Sequence, residues 1–235
     1  DLIITCVKDA DAVKEVLFGN DGITSGKYTE ISVADMSTIN PTSAQEISKK
    51  LHTMKIKSLE IPVMGGPNVA INGGLVLMAS GDKELFETHQ KIFKTIANKI
   101  FFLGESGSAH TIKLAMNMQI SLLALSLSEG IILMKKAGIE PEKFLEILNS
   151  TYFGTGMSEK KAYKMIKNEY EPTFTLKNLK KDLDIITKTA KDFDAVLPIT
   201  ERANKIYDDA LAAGFGELDY TGVLAYIEKI SRTKD

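Results

Sequence analysis

Only one cysteine, Cys6, occurs in the chain, so no disulfide can form within it. It stands in the apolar run Leu2–Val7 and reads as a small core residue. No basic block exists: 29 Lys and Arg are interspersed with 31 Asp and Glu, for a formal net charge of −2. That balance excludes the electrostatic footprint of a nucleic-acid-binding chain. No apolar stretch of spanning length runs unbroken. The longest, Ile120 to Met134, is interrupted by Ser121, Ser126, Ser128 and Glu129, which points to a buried helix and away from a membrane. The three histidines, His52, His89 and His110, lack the spacing of metal ligands, so no metal is expected. G-x-S-x-G and H-E-x-x-H are absent, as are repeats and low-complexity tracts. No secretory signal stands at the start, which together with the lone cysteine favours the cytoplasm. An initiating Met is missing too. Asp1 runs directly into Leu-Ile-Ile-Thr-Cys-Val, and a natural start rarely opens inside a core strand, so further residues are expected ahead of Asp1.

What is present fits a soluble globular protein: 44% hydrophobic and 26% charged over 235 residues, enough for one large domain or two ordinary ones. The chain changes pattern near residues 104–107. Before that point short apolar runs alternate with helical stretches. Strands are expected at Leu2–Val7, Ser32–Met36, Ser58–Val63, Leu75–Ser80 and Ile100–Leu103. Helices are expected at Asp9–Phe18, Pro41–Met54 (with Asn40 as N-cap) and Lys83–Ala97. This alternation predicts a largely parallel α/β sheet over residues 1–105. Residues 106–235 read as all-helical. A long central helix, Ser108–Ala137, ends at Gly138. Shorter helices follow at Glu140–Asn149, Ser158–Lys167, Leu176–Asp192, Pro198–Ala213 and Thr221–Ser231.

Lys113 and Asn117 lie four apart on the central helix and therefore share one face. Desolvation favours the neutral form of a lysine and suits it to proton transfer. An asparagine one turn on can position a substrate oxygen. The plainer reading is a lysine whose stem lies on the core while its ammonium reaches water. Gly104 and Gly107 open the same helix, either as an anion-favouring N-terminus or as a tight turn. Pro62-Val-Met64-Gly65-Gly66-Pro67 follows a strand end, where open α/β sheets bind ligands, and its glycines can offer backbone N–H groups. Ser37 and Thr38 also follow a strand end and either touch a ligand or cap the next helix. His110, three residues before Lys113, is a weaker candidate for a place near the site.

Taken in order, these pieces resemble one family, the β-hydroxyacid dehydrogenases of the 3-hydroxyisobutyrate dehydrogenase type. The resemblance rests on Asp1-Leu-Ile-Ile-Thr5, Asp35-Met-Ser37-Thr38-Ile-Asn-Pro41 and Glu60-Ile-Pro62-Val-Met64-Gly65-Gly66. It continues through Lys113 and Asn117, then Phe174 with Lys181-Asp182, and Gly214-Phe-Gly-Glu-Leu-Asp219. It implies a Rossmann domain, N-terminally incomplete here, followed by an all-α substrate and oligomerisation domain. It also implies NAD or NADP as cofactor, a short semialdehyde, β-hydroxyacid or 2-oxo acid as substrate, and a homo-oligomer. Lys113 is then the general acid or base. Met64, Gly65, Gly66 and Asn117 bind substrate. Val7, Lys8, Ser37, Thr38, Phe174 and Lys181 lie near the cofactor. Two departures stand out. Met64 replaces the family's serine and removes a hydroxyl that would hold a carboxylate. The family's G-x-G-x-x-G unit is absent, which places about 60 residues, two βαβ units, ahead of Asp1. With that segment goes the residue that separates NAD from NADP. A non-catalytic relative using the fold for binding or oligomerisation is the alternative, and an imine-reducing relative a further one. Lys113 and Asn117 argue for the enzyme.

Overall fold

The computed structural model describes residues 1–26 and 30–232. The chain divides into two compact units, Asp1–Met116 and Asn117–Asp235. That division falls inside the long helix that follows the Gly104–Gly107 turn.

The first unit holds a six-stranded sheet. Its strands are β1 (Leu2–Thr5), β2 (Ser32–Asp35), β3 (Lys57–Glu60), β4 (Val63–Met64), β5 (Leu75–Gly81) and β6 (Ala97–Phe102). The order is β1-β2-β3-β5-β4, with β6 on β5. β1, β2 and β3 pair in parallel, as do β5 and β6. β3 and β4 both run antiparallel to β5, so the sheet is mixed, although the longer pairings are parallel. Pro62 accounts for part of this. A proline has no N–H for a ladder, and it splits the run Ser58–Val63 into two strands. Ile61 N–H donates toward β2, to the Asp35 carbonyl at 2.7 Å, while the Pro62 carbonyl accepts from Met78 of β5 at 3.0 Å. β3 thus joins β2, and β4 continues along β5.

Four helices accompany the strands: α1 (Ala10–Phe18), α2 (Pro41–Thr53), the short α3 (Pro67–Ile71) and α4 (Lys83–Ile96). α2 starts as its sequence directs. The Asn40 side chain accepts from Thr42 N–H at 2.8 Å, and Pro41 sits in the first turn, where its missing N–H costs nothing. Ser37 and Thr38 are not the cap. One core cluster joins Leu59, Ile61, Leu77, Ala79, Phe86 and Phe93; another joins Val13, Leu17, Val33, Ile47 and Leu51. β1 is an edge strand with half-buried side chains, and Cys6 just beyond it is exposed, not part of the core.

The second unit is helical. α5 (Ser108–Lys136) begins in the first unit and runs into it. By length and composition α5 is the one helix among the described residues that could cross a membrane. Here Leu127 and Ile131 lie in a core cluster with Leu145, Met165 and Leu224. The hydroxyls of Ser121 and Ser128 donate back to the carbonyls of Met118 and Ala124, both at 2.7 Å. α6 (Pro141–Asn149), α7 (Gly156–Lys160) and α8 (Ala162–Ile166) follow, then α9 (Leu176–Asp192), α10 (Pro198–Ala210) and α11 (Val223–Arg232). The single helix expected at Ser158–Lys167 is two, because the first starts earlier on a Thr155–Ser158 capping box and the backbone departs at Lys161. α10 gives way to a π-type turn over Leu211–Phe215, where Gly214 takes φ 94°, a conformation only glycine adopts readily. α9 faces the interior with Leu176, Leu179, Leu183 and Ile186.

Candidate active site

Lys113 sits in the early turns of α5 and is half-buried. Its Nζ lies 3.2 Å from Met64 Sδ. Met64 ends β4, so the turn that follows a strand end and the helical lysine are brought together within the first unit. Gly65 takes φ 130°, and a side chain there would meet Leu75 and Val69. The turn therefore requires glycine. Gly65 and Gly66 are both exposed, which leaves their backbone accessible beside the lysine.

The early course of α5 is set from below by the sheet. Glu60, the last residue of β3, is 5% exposed, and its two carboxylate oxygens accept from Gly107 N–H at 2.7 and 2.9 Å. Ser80 Oγ donates to the same carboxylate at 2.8 Å and accepts from Ala109 N–H at 3.1 Å. Ser106 Oγ also donates to it, at 2.5 Å. The N-terminus of α5 does attract an anion, as the glycine turn suggests, but that anion is the chain's own glutamate. Burial pushes the Glu60 carboxyl above its ordinary range, its hydroxyl and N–H donors pull it back, and Asp35 pushes it further up. Sequence reasoning placed Glu60 in a motif and gave it no role; its burial beside Ser80 and Gly107 appears only once the sheet register pairs β3 with β5.

His110 lies in the same region but does not reach the site. It is fully buried, neither ring nitrogen has a partner, and burial lowers its imidazole to about 3. It lines a small internal cavity with Asp35, Glu60, Ser80 and Ser106.

At the carboxyl ends of β1 and β2 the structure groups Val7, Lys8, Ser37 and Thr38. Val7 N–H donates to Ser37 Oγ at 2.9 Å, and Ser37 Oγ donates to Asp35 Oδ1 at 2.7 Å. Thr5 Oγ1 donates to the same oxygen at 2.8 Å. Burial raises the Asp35 carboxyl in spite of these bonds. The Ser37 hydroxyl, 2% exposed, thus ties two loops together. Thr38 is half-buried, and the Lys8 side chain is 81% exposed beside Asp9. Lys8, Thr38 and the exposed Cys6 are the accessible side chains named at this end of the sheet.

In the second unit Asn117 is 2% exposed, and its Nδ2 donates to Asp182 Oδ2 at 2.6 Å. Lys181 Nζ lies 2.9 Å from the other Asp182 oxygen. The lysine–aspartate pair of α9 and the asparagine of α5 therefore form one cluster. Phe174, half-buried, packs edge-on to Tyr220. Asp219 holds that corner: both its oxygens accept from Lys161 Nζ, at 2.9 and 2.8 Å, and it accepts from Thr173 N–H at 3.1 Å. No group of three or more metal-ligating side chains occurs among the described residues.

Two family profiles divide the chain. Residues 1–104 match the NAD binding domain of 6-phosphogluconate dehydrogenase, and residues 107–227 match the NAD-binding domain of NADP-dependent 3-hydroxyisobutyrate dehydrogenase. The cytokine-like nuclear factor N-PAC of Aedes aegypti is 30% identical over 95% of the chain and 40% of its own length. The chain thus spans well under half of that relative. The 2-hydroxy-3-oxopropionate reductase of Escherichia coli (strain K12) is 28% identical, covering 100% of the chain and 80% of the reductase. The crystal structure of 3-hydroxyisobutyrate dehydrogenase from Salmonella typhimurium superposes with a TM-score of 0.86 at 25% identity, covering 96% of this chain and 79% of that one.

Proposed function

This chain belongs to the 3-hydroxyisobutyrate dehydrogenase family of β-hydroxyacid dehydrogenases, and from that premise we propose a specific activity. The protein reduces a short semialdehyde or 2-oxo acid with NAD(P)H, and Lys113 supplies the proton. The observation that carries this reading is the placement of Lys113 Nζ beside the Met64-Gly65-Gly66 turn.

The family binds a nicotinamide dinucleotide, and the residues present fit one. Lys8 and Thr38 are open at the carboxyl ends of parallel strands, where such ligands bind. Ser37 ties together the two loops that carry them. Phe174 and Lys181 complete the cofactor set in this reading, the cofactor being NAD or NADP. When bound, the dinucleotide supplies the hydride. The protein's own residues do the rest. Gly65 and Gly66 present backbone N–H groups to the substrate, Asn117 orients it, and Lys113 protonates the carbonyl oxygen as charge develops there. In the reverse direction Lys113 takes up the hydroxyl proton. The protein works as a homo-oligomer through its helical unit, which exposes Tyr152, Val196 and Ile199 at 89%, 84% and 70%.

The test is turnover by the whole protein with glyoxylate, succinic semialdehyde, methylmalonate semialdehyde and tartronate semialdehyde, each with NADH and NADPH. Absence of turnover in every combination, by folded protein, overturns the reading. Sedimentation as a stable monomer at micromolar concentration overturns the oligomer. A second reading draws on the likeness to the nuclear factor N-PAC. Under it the fold is a non-catalytic binding or oligomerisation module, and Lys113→Ala leaves every measurable property of the protein unchanged. An imine-reducing relative is disfavoured by the presence of Lys113.

A further inference from the structure

We propose that Glu60 is a positioning residue for Lys113: its carboxylate anchors the N-terminus of α5 to the sheet and so sets where the proton donor stands. The proposal rests on the reading of Lys113 as the proton donor.

The first N–H groups of a helix have no partner within the helix and favour an anion. Here they meet a side chain of the sheet. Gly107 N–H reaches both Glu60 oxygens, and Ala109 N–H reaches Ser80 Oγ, which is itself bonded to Glu60. Ser106 Oγ adds a further donor. The same carboxylate thus gathers the end of β3, the end of β5 and the start of α5. A buried carboxylate is costly unless its acceptor sites are filled, and these four donor contacts fill them.

Two other bonds reach that turn, Gln45 Nε2 to the Ser106 carbonyl at 3.0 Å and Gly81 N–H to the Gly104 carbonyl at 2.8 Å, but neither engages the N–H groups that open α5. Gly104 takes φ 86°, and a side chain placed there would meet no atom within 4 Å. Gly107 takes φ 96° against the end of the flexible Gln45 side chain. Gly104 thus has no packing around its Cα, so the position of the turn depends largely on the groups that bond it. Glu60 and Met64 belong to one short stretch of chain, separated by Ile61-Pro62-Val63. Glu60 grips α5 at its first residues, and Met64 meets it about two turns later, at Lys113. The two residues therefore bracket the part of the helix that carries the lysine. Misplacement of a reacting group by about 1 Å costs on the order of 10²-fold in rate. His110, on the next residues of the helix, contributes no charge that could replace the glutamate, since burial keeps it neutral.

The experiment compares whole wild-type protein with Glu60→Gln, Glu60→Ala and Lys113→Ala. It measures kcat, KM, cofactor Kd and amide hydrogen exchange along residues 105–116. Glu60→Ala is expected to lower kcat on the order of 10²-fold, with cofactor Kd unchanged. Exchange should rise at Gly107 to Lys113 and not across the sheet. Glu60→Gln keeps the shape and one carbonyl oxygen, so it should recover most of the lost kcat and the lost protection. Its survival keeps the test decisive if Glu60→Ala does not fold. Wild-type kcat in folded Glu60→Ala, or a loss of protection spread evenly over the first unit, overturns the proposal. If the wild type itself shows no turnover, the reductase reading fails, and the exchange pattern alone still decides whether Glu60 anchors the helix.

Discussion

Asn117 Nδ2 donates to Asp182 Oδ2 at 2.6 Å, with both side chains almost wholly buried. One amide hydrogen of the asparagine is thereby committed, which fixes the amide plane and the direction of Oδ1. Lys181 lies against the second oxygen of the same carboxylate at 2.9 Å. Asn117, which orients the substrate in the proposed reading, is thus itself oriented by a carboxylate.

Replacing that charge should be felt in both stability and binding. Asp182→Ala removes a hydrogen bond to a charged group, worth about 1.5–3 kcal/mol, and leaves Asn117 Nδ2 without its buried acceptor. Denaturant unfolding should show a loss of about that size, and KM should rise. A variant with unchanged midpoint and unchanged KM would show that the pair contributes nothing.

Lys113→Ala should lower kcat by about 10²–10⁴, the usual range for a positioned acid, while cofactor affinity stays nearly constant. Asn117→Ala should act mainly on KM. Retention of more than about a tenth of the wild-type rate by Lys113→Ala, well above that range, would reduce the lysine to a substrate-holding charge.

Met64→Ser restores a hydroxyl beside Lys113 at the exposed glycine turn. One added hydrogen bond of about 1 kcal/mol corresponds to roughly five- to tenfold in kcat/KM for a carboxylate-bearing aldehyde. The gain should not extend to an aldehyde of equal length without the carboxylate. Equal changes for both substrates would mean that Met64 does not face the substrate.

His110 makes a pH prediction. Its imidazole falls from 6.5 to about 3 in the folded protein, so it stays neutral while the unfolded chain takes up a proton below pH 6.5. Its contribution to stability is therefore present above pH 6.5 and is lost as pH falls toward 3. The slope is up to about 1.4 kcal/mol per pH unit. Asp35 and Glu60 line the same cavity, and burial raises both carboxyls, so their effect has the opposite sign. The comparison that isolates the histidine is wild type against His110→Leu, by urea unfolding at pH 7.5 and pH 5. The variant should lose less stability between the two values. Identical pH dependence would rule out the assignment.

Much of the fold was legible because strong local signals agreed with the tertiary structure. Leu176–Asp192 is a helix at the expected bounds, and Asn40 with Pro41 opens α2 as expected. The misreadings share a physical cause. The run Ser58–Val63 looks like one strand, and nothing local says that Pro62 hands the chain from β2 to β5. The antiparallel pairing on β5 is a long-range choice that periodicity does not encode. Cys6 looks like core because its neighbours are apolar, yet an edge strand exposes it. At the site, the motif residues Lys113, Met64 and Gly65 do come together. Ser37 belongs with Val7 as expected, but its hydroxyl serves Asp35 and Val7 N–H. Glu60 went unrecognised because a glutamate in a sequence carries no sign of what its oxygens will meet.

The two compact units part between Met116 and Asn117, within α5. A protease needs locally extended chain, and nicking concentrates at exposed loops and tips. Inside a helix of 29 residues there is no such stretch. Digestion should therefore release no pair of fragments matching the two units. The first cuts belong where the backbone is exposed and not helical, around Tyr152–Phe153 or at the Gly65–Gly66 turn, and a cut at the latter would put Met64 and Lys113 on different pieces of chain.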